Sequence, residues 1–270
     1  MKKITKTVII LIGILIVSCS SDDSNEQEPE SSGLLKRMEI QNTSTPHIYE
    51  FKYNDNNSIN EIYFYNFFAG DRKDKFYYNN QGNVEYVESI LLSNNQVVQT
   101  VNFTYNGSNE LITEIKIDNE NNNEIIERRD YFYENGVLSC LNRCYDSECN
   151  SFQQICYEFD GNGNSSTTTY RDDNGQTLAQ IDISEFDNGK TAYFGSNLAD
   201  IKYLTNPALG LLEVNNNPTS REVTTYFPTG GIQFEFQYNY AIEFNSSDLP
   251  TQITISSNQS AESTVLYEYY

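Results

Sequence analysis

The chain has 270 residues, with 38 acidic against 17 basic side chains and a net charge of −21. So large a negative excess argues against nucleic acid and anionic lipid surfaces as partners, because both are held by positive charge. Twenty-one Tyr and 15 Phe without a Trp favour strands over helices, and the abundant Asn and Gly supply turns.

The chain opens with a basic patch, Lys2, Lys3 and Lys6, followed by an apolar run from Thr7 to Val17 that is too short for a stable membrane span. This is the form of an export leader. Its last residues, Ile16-Val17-Ser18-Cys19, resemble the bacterial lipobox, with Ile16 where leucine is commonest. The resemblance implies cleavage before Cys19 and lipidation of its thiol, so the membrane is expected to be engaged through a lipid anchor on Cys19. Residues 1–18 are thus read as a lipoprotein signal peptide. Without them the chain has 252 residues, and 14 basic against 38 acidic side chains give a net charge of −24. Ser20 follows the cysteine instead of an aspartate, and Ser21 to Glu26 resembles the acidic export tract of Bacteroidetes surface lipoproteins. The destination this implies is the outer membrane, facing outwards. Residues 19–33 hold almost nothing to bury and carry Asp22, Asp23, Glu26, Glu28 and Glu30, a composition that predicts a disordered acidic tether.

Residues 34–270 are organised as a repeat. An aromatic-x-aromatic-Asn/Asp phrase, followed by a polar turn and an aliphatic residue, appears as Phe51-Lys52-Tyr53-Asn54, Phe76-Tyr77-Tyr78-Asn79, Phe103-Thr104-Tyr105-Asn106, Tyr131-Phe132-Tyr133-Glu134 and Tyr157-Glu158-Phe159-Asp160. Weaker copies end at Phe186, Phe244 and Tyr269. From Tyr53 to Phe186 the steps are 25, 27, 28, 26 and 27 residues. Polar punctuation at each half period divides every repeat into two strands and two turns, with Asn135-Gly136 a favoured tight hairpin. Alternation supports strands: Val101, Phe103 and Tyr105 oppose Thr100, Asn102 and Thr104, and Leu111, Ile115 and Ile117 oppose Glu114 and Lys116. The fold class is all-β, an antiparallel meander of about 16–18 strands in a barrel-like or strongly curved single sheet.

Four cysteines, Cys140, Cys144, Cys149 and Cys156, lie within one predicted hairpin. Exported proteins favour disulfides and zinc prefers shorter steps, so nested pairs Cys144 with Cys149 and Cys140 with Cys156 are expected. Strict pairing places residue 153 opposite Cys140, so the outer bridge calls for a bulge. A bridge from Cys140 to Cys144 is ruled out by about 13 Å of strand.

Between Phe186 and Phe244 the step widens to 58 residues. Within this interruption, Asn206-Pro207-Ala208-Leu209-Gly210-Leu211-Leu212 suggests a short helix or loop over 204–214, a plug on the apolar face of the sheet or else a surface insertion. Next comes the longest strand. Ile232, Phe234, Phe236, Tyr238, Tyr240, Ile242 and Phe244 share one face and Gln233, Glu235, Gln237, Asn239, Ala241 and Glu243 the other, over about 44 Å. Barrel closure with this aromatic face inward buries it and removes the sheet edges. The opposite packing would make a transmembrane barrel, and Tyr267, Tyr269 and Tyr270 resemble the aromatic end of one. The consecutive charges of Glu127, Arg128, Arg129 and Asp130 argue against it, since a lipid-facing band absorbs them poorly.

The phrases resemble the YD repeats of Rhs-type proteins. With the lipobox and the Asn206-Pro207 to Ser220 interruption, residues 35 to 270 resemble Bacteroidetes repeat lipoproteins whose domain of unknown function has a porin-like β fold. The resemblance implies a large antiparallel barrel-like sheet and no assigned activity.

Catalytic signals are sparse, and the chain is not expected to be an enzyme. His47, the single histidine, reads as a solvated loop residue beside Pro46 and makes no triad. Asp160 to Asn164 and Asp172 to Gly175 faintly resemble calcium loops, but Arg171 and Ile183 stand where the bidentate glutamate belongs, so both read as turns. No cofactor or metal is expected. Two functions stay open: a surface module that binds a glycan, peptide or protein, and a carrier of an apolar small ligand in an aromatic-lined interior.

Overall fold

A computed structural model describes residues 33–41, 45–67, 70–193, 196–197 and 216–270. The expected leader and Cys19 lie outside the described residues, as do all of the tether but Gly33 and the proposed plug at 204–214. The described chain forms sixteen strands: β1 (Leu35–Gln41), β2 (His47–Tyr53), β3 (Ile59–Tyr65), β4 (Arg72–Tyr78), β5 (Val84–Leu91), β6 (Val97–Tyr105), β7 (Leu111–Asp118), β8 (Glu124–Glu134), β9 (Val137–Cys144), β10 (Phe152–Phe159), β11 (Ser165–Arg171), β12 (Thr177–Phe186), β13 (Pro218–Tyr226), β14 (Ile232–Phe244), β15 (Pro250–Ser257) and β16 (Ser263–Tyr269). Each pairs antiparallel with its neighbours in sequence, and β1 pairs with β16 to close a barrel without edges.

The repeat phrase marks one end of this barrel, and its letters have separate physical jobs. The second aromatic closes a strand, and its hydroxyl donates to the carbonyl at the start of the strand before: Tyr53 to Leu35 at 2.9 Å, Tyr78 to Ile59 at 2.5 Å, Tyr105 to Val84 at 3.0 Å, Tyr133 to Leu111 at 3.1 Å and Tyr269 to Pro250 at 2.7 Å. We call this the latched end. The Asn or Asp that follows caps the turn with its side-chain oxygen, as Asn106 Oδ1 does for the amides of Ser108 and Glu110, both at 2.9 Å. Asn79, Asp160 and Asn245 repeat the arrangement. Further along each turn one residue takes positive φ, at Asn57, Gly82, Asn109, Gly163 and Asp248, which explains the Asn and Gly content of the punctuation.

Every such turn also carries a register shift. The strand that follows is bulged, so its inward residues fall three apart: Ile59 and Ile62, Val84 and Val87, Leu138 and Leu141 are all buried. This corrects the simple alternation read for residues 111–117. Past the bulge Glu114 and Lys116 face inward, across from Phe103 and Val101, while Ile115 and Ile117 face outward.

Core residues cluster along β1 to β9 and β16, where Leu35, Met38, Tyr49, Phe51, Ile59, Ile62, Val87 and Val101 are sealed from solvent. Each such side chain contributes roughly 1.5–3 kcal/mol by burial. The β12–β13 insertion returns to this core. Tyr193 packs against it, and Asn197 accepts the Ile59 amide at 2.9 Å while donating to the Tyr78 hydroxyl at 3.3 Å. Its neck is clasped by Asn217, whose amide group donates to Asp187 and to the Lys190 carbonyl, and by Asn216, whose backbone amide donates to Asn164 Oδ1 at 2.8 Å. The outer face carries charge around the circumference, with Glu39, Lys52, Lys75, Glu88, Arg128, Asp182, Glu222, Glu235 and Glu268 pointing away from the interior. No continuous apolar belt is present among the described residues.

Candidate functional site

Away from the latched end the interior becomes polar. Five of the basic residues sit on inward positions of the strands, Arg72, Lys116, Arg129, Arg143 and Arg221, against five acidic ones, Asp74, Glu114, Asp118, Glu124 and Glu127. In a chain this acidic, the inside of the barrel wall is thus balanced in charge.

A network spans β7 to β9. Glu127 accepts from Arg129 and Arg143, each at 2.6 Å, and Glu114 lies 3.6 Å from Arg129 while accepting the Tyr131 hydroxyl at 2.7 Å. Glu114 occupies the bulge position that Ile62, Val87 and Leu141 fill with carbon elsewhere. Burial pushes its carboxyl pKa up, against the pull of Arg129. Burial likewise pushes the Lys116 ammonium down, and no carboxylate lies within ion-pair distance of it among the described residues. On β4, Asp74 accepts the Ser89 hydroxyl at 2.6 Å, with Arg72 at 4.0 Å.

From β10 to β15 the inner wall is looser. The expected aromatic face of β14 does turn inward, opposite Arg221 and Val223 of β13. Phe236, Tyr238, Tyr240 and Ile242 are only half-buried, however, and Ile232, Phe234 and Phe244 are exposed. The complete burial expected for this face is therefore corrected. A barrel of sixteen strands is too wide for side chains from the facing walls to meet everywhere. Arg221 spreads over these rings, 4.7 Å from the Tyr238 centroid and 6.0 Å from that of Tyr240.

The cysteines form the nested bridges Cys140–Cys156 and Cys144–Cys149. The predicted bulge is absent: Cys140 stands directly opposite Cys156, and residues 145–151 form a longer loop that takes up the difference. Asp130 is grouped with Cys144 and Cys149, but both sulfurs belong to a disulfide and offer no thiolate. Asp160 and Asp172 spend their Oδ1 atoms on turn amides at 2.8–3.0 Å, as turn residues do. His47 departs from the expectation of a solvated loop. It begins β2 on the inner face, its ring 4.5 Å from that of Phe67.

No protein-family profile and no curated protein matches the sequence. Among solved structures, a porin-like protein from Bacteroides uniformis aligns over 89% of this chain and 98% of its own at 11% identity, with a TM-score of 0.55. A porin-like protein from Bacteroides vulgatus aligns over 88% and 98% at 11% identity, TM-score 0.46. The Photorhabdus luminescens Tc holotoxin pore aligns over 84% of this chain and 13% of its own at 12% identity, TM-score 0.30. This chain, a closed antiparallel barrel of sixteen strands, is similar in fold to the first of these.

Proposed function

We propose that this chain is a lipid-anchored outer-membrane protein of the YD-repeat-like kind, displayed at the cell surface, whose barrel serves as a non-enzymatic binding or structural module. The observation that carries this reading is the charged outer face. Glu235, Gln237, Asn239 and Glu243 of β14 lie exposed on the side that a transmembrane barrel turns to lipid, where charged groups are destabilising, most of all at mid-depth. A barrel unsuited to insertion needs another hold on the membrane, and Cys19 after its apolar run supplies one. The acidic exterior suits a solvated surface domain.

The test is Cys19→Ala in the producing cell. Loss of detergent-phase partitioning, with a soluble or unprocessed product, supports the anchor. Unchanged partitioning of the variant overturns it. In parallel, residues 34–270 are expected to fold in water without detergent, and a product that stays β-rich and monomeric only in detergent would return the transmembrane reading.

A carrier of an apolar small ligand is the second reading, favoured by the half-buried Phe236, Ile242, Ile253 and Ile255 on the inner wall. Native mass spectrometry of protein taken directly from cells checks it, by the presence or absence of a co-purified hydrophobic mass.

A further inference from the structure

Arg221, like Lys116, is a poorly satisfied charged group of the inner wall. Among the described residues it has no carboxylate within ion-pair distance, and its Nε is shielded from solvent with no hydrogen-bond partner. Thr225 Oγ1, four residues further along the same face of β13, is orphaned in the same way. A buried donor left unpaired is costly, about 1–3 kcal/mol; both atoms are themselves shut off from solvent, so a ligand's oxygens would meet the terminal nitrogens of Arg221, which have no hydrogen bond among the described residues.

The inward acids do not meet this need. Glu127 is held by Arg129 and Arg143, Glu114 by Arg129 and Tyr131, Asp74 by Ser89, and Asp118 by the amides of its own turn. A second positive group is nearby. Burial raises the Tyr170 phenol pKa, while Arg221 and then Arg143 pull it back down, so both guanidinium fields reach the same hydroxyl. Tyr238 and Tyr240 lie beside the guanidinium of Arg221. Exposure along the inner face of β14 rises from Tyr238 to Phe234 and Ile232, which opens this wall towards the end opposite the latches.

Each component has a chemical meaning. A guanidinium fork pairs with carboxylate or sulfate oxygens in two-point geometry. Tyrosine faces take up the flat side of a sugar ring, and their hydroxyls bond its own. Partial burial strengthens the charge contact relative to water. An acidic exterior repels long polyanions, so the wall suits a short ligand that enters the barrel.

We propose that the inner wall around Arg221, Tyr170, Tyr238 and Tyr240 is a binding site for a short acidic saccharide, its carboxylate or sulfate seated on Arg221 and its ring against the tyrosines. The proposal rests on the binding-module reading and names the ligand class of that module.

The experiment is calorimetric titration of the full mature chain, in detergent, with trigalacturonate, a sulfated disaccharide and neutral maltotriose. At least one acidic probe is expected to bind at least tenfold more tightly than maltotriose, and the comparison between the two acidic probes tells carboxylate from sulfate. Arg221→Gln and Tyr238→Ala should each weaken that binding tenfold or more with an unchanged melting temperature. Arg221→Lys should fall between, because it keeps the charge and loses the fork. Arg171→Gln, on the outer face of β11, should change nothing. Equal binding of acidic and neutral sugars, binding indifferent to Arg221→Gln, no binding of either acidic probe, or preference for a short poly-glutamate peptide would each overturn the site. Capture of a neutral glycan or of a protein, independent of Arg221, would overturn the site while leaving the module reading in place. Acidic-sugar binding by a chain that Cys19→Ala leaves on the membrane would uphold the site and overturn the anchor.

Discussion

One repeat builds the wall from β1 to β9 and the wall from β10 to β15, yet only the first is packed tight. The difference can be followed to single atoms. On β2, β4, β6 and β8 the second aromatic of the phrase is a tyrosine whose hydroxyl ties down the preceding strand. On β10, β12 and β14 it is Phe159, Phe186 or Phe244, with no hydroxyl to donate. Across β10 to β15 the inward set contains Gln153, Thr168, Arg221, Thr225 and Ser257 in place of aliphatic residues, and Ile183 is the one buried large aliphatic residue within strands β10–β14. One wall is specialised for cohesion and the other keeps its inner face available.

The largest effect that would sharpen this contrast is a matched pair of truncations. Phe51, 1% exposed, should cost about 3–5 kcal/mol as Phe51→Ala, whereas the half-buried Phe236 should cost about 1–2 kcal/mol as Phe236→Ala, because less area is lost and the site is already open to water. Urea unfolding of both variants checks it, and equal losses would break the distinction. Next is the staple at the boundary of the two walls. Replacing Cys140 and Cys156 together by alanine opens a 16-residue separation and should lower stability by about 3 kcal/mol, with hydrogen exchange rising in β10 and β11 before β2 and β3. Uniform exchange across the barrel would argue for one cooperative wall.

The latch itself is worth less. Tyr78→Phe leaves the Ile59 carbonyl short of a donor and should cost about 1 kcal/mol, while Phe159→Tyr, aimed at the Leu138 carbonyl by analogy with its neighbours, should raise the unfolding midpoint. A loss at both positions would show that the hydroxyl is incidental. The smallest effect is acidic. The Asp160 carboxyl is held below the usual carboxylate range by the backbone amide of Asn164 first, and by the other bonds of its turn. Because its folded pKa is depressed, the contribution is complete above the unfolded value of about 3.9 and is lost as pH falls through the folded one. Amide exchange at Asn162 and Asn164 should therefore quicken in strong acid, and Asp160→Asn should remove that dependence while keeping the cap.

Much of the barrel was legible because it depends on local chemistry. The period of the aromatic phrase, the Asn and Gly turns and the spacing of the cysteines each act within one hairpin, and they were enough to anticipate an antiparallel meander and both bridges. The bulge after each turn was not legible, since a shift of one residue leaves no mark on composition yet reverses every face beyond it. That is why Glu114 and Lys116 were assigned to the wrong side. The repeat itself held the missing signal: aligned on its turn, Glu114 falls on the position of Ile62, Val87 and Leu141. The consecutive charges from Glu127 to Asp130 were read only as an obstacle to a lipid-facing band, because the partners that explain them, Glu114 and Arg143, come from adjacent strands. The latch hydroxyls were hidden for the same reason, their carbonyl partners lying 18 to 22 residues away.

The seam between β1 and β16 is made like every other seam. It has a ladder of paired residues, its own tyrosine at Tyr269, and a Tyr270 amide that donates to the Leu34 carbonyl at 3.0 Å. Residues 34 and 270 therefore stand side by side where a further hairpin would sit, and the order of strands around the ring owes nothing to which of them is made first. A circular permutant that joins these two residues through a short linker and begins instead at Gly136 would keep every ladder and every latch, and should fold to the same barrel.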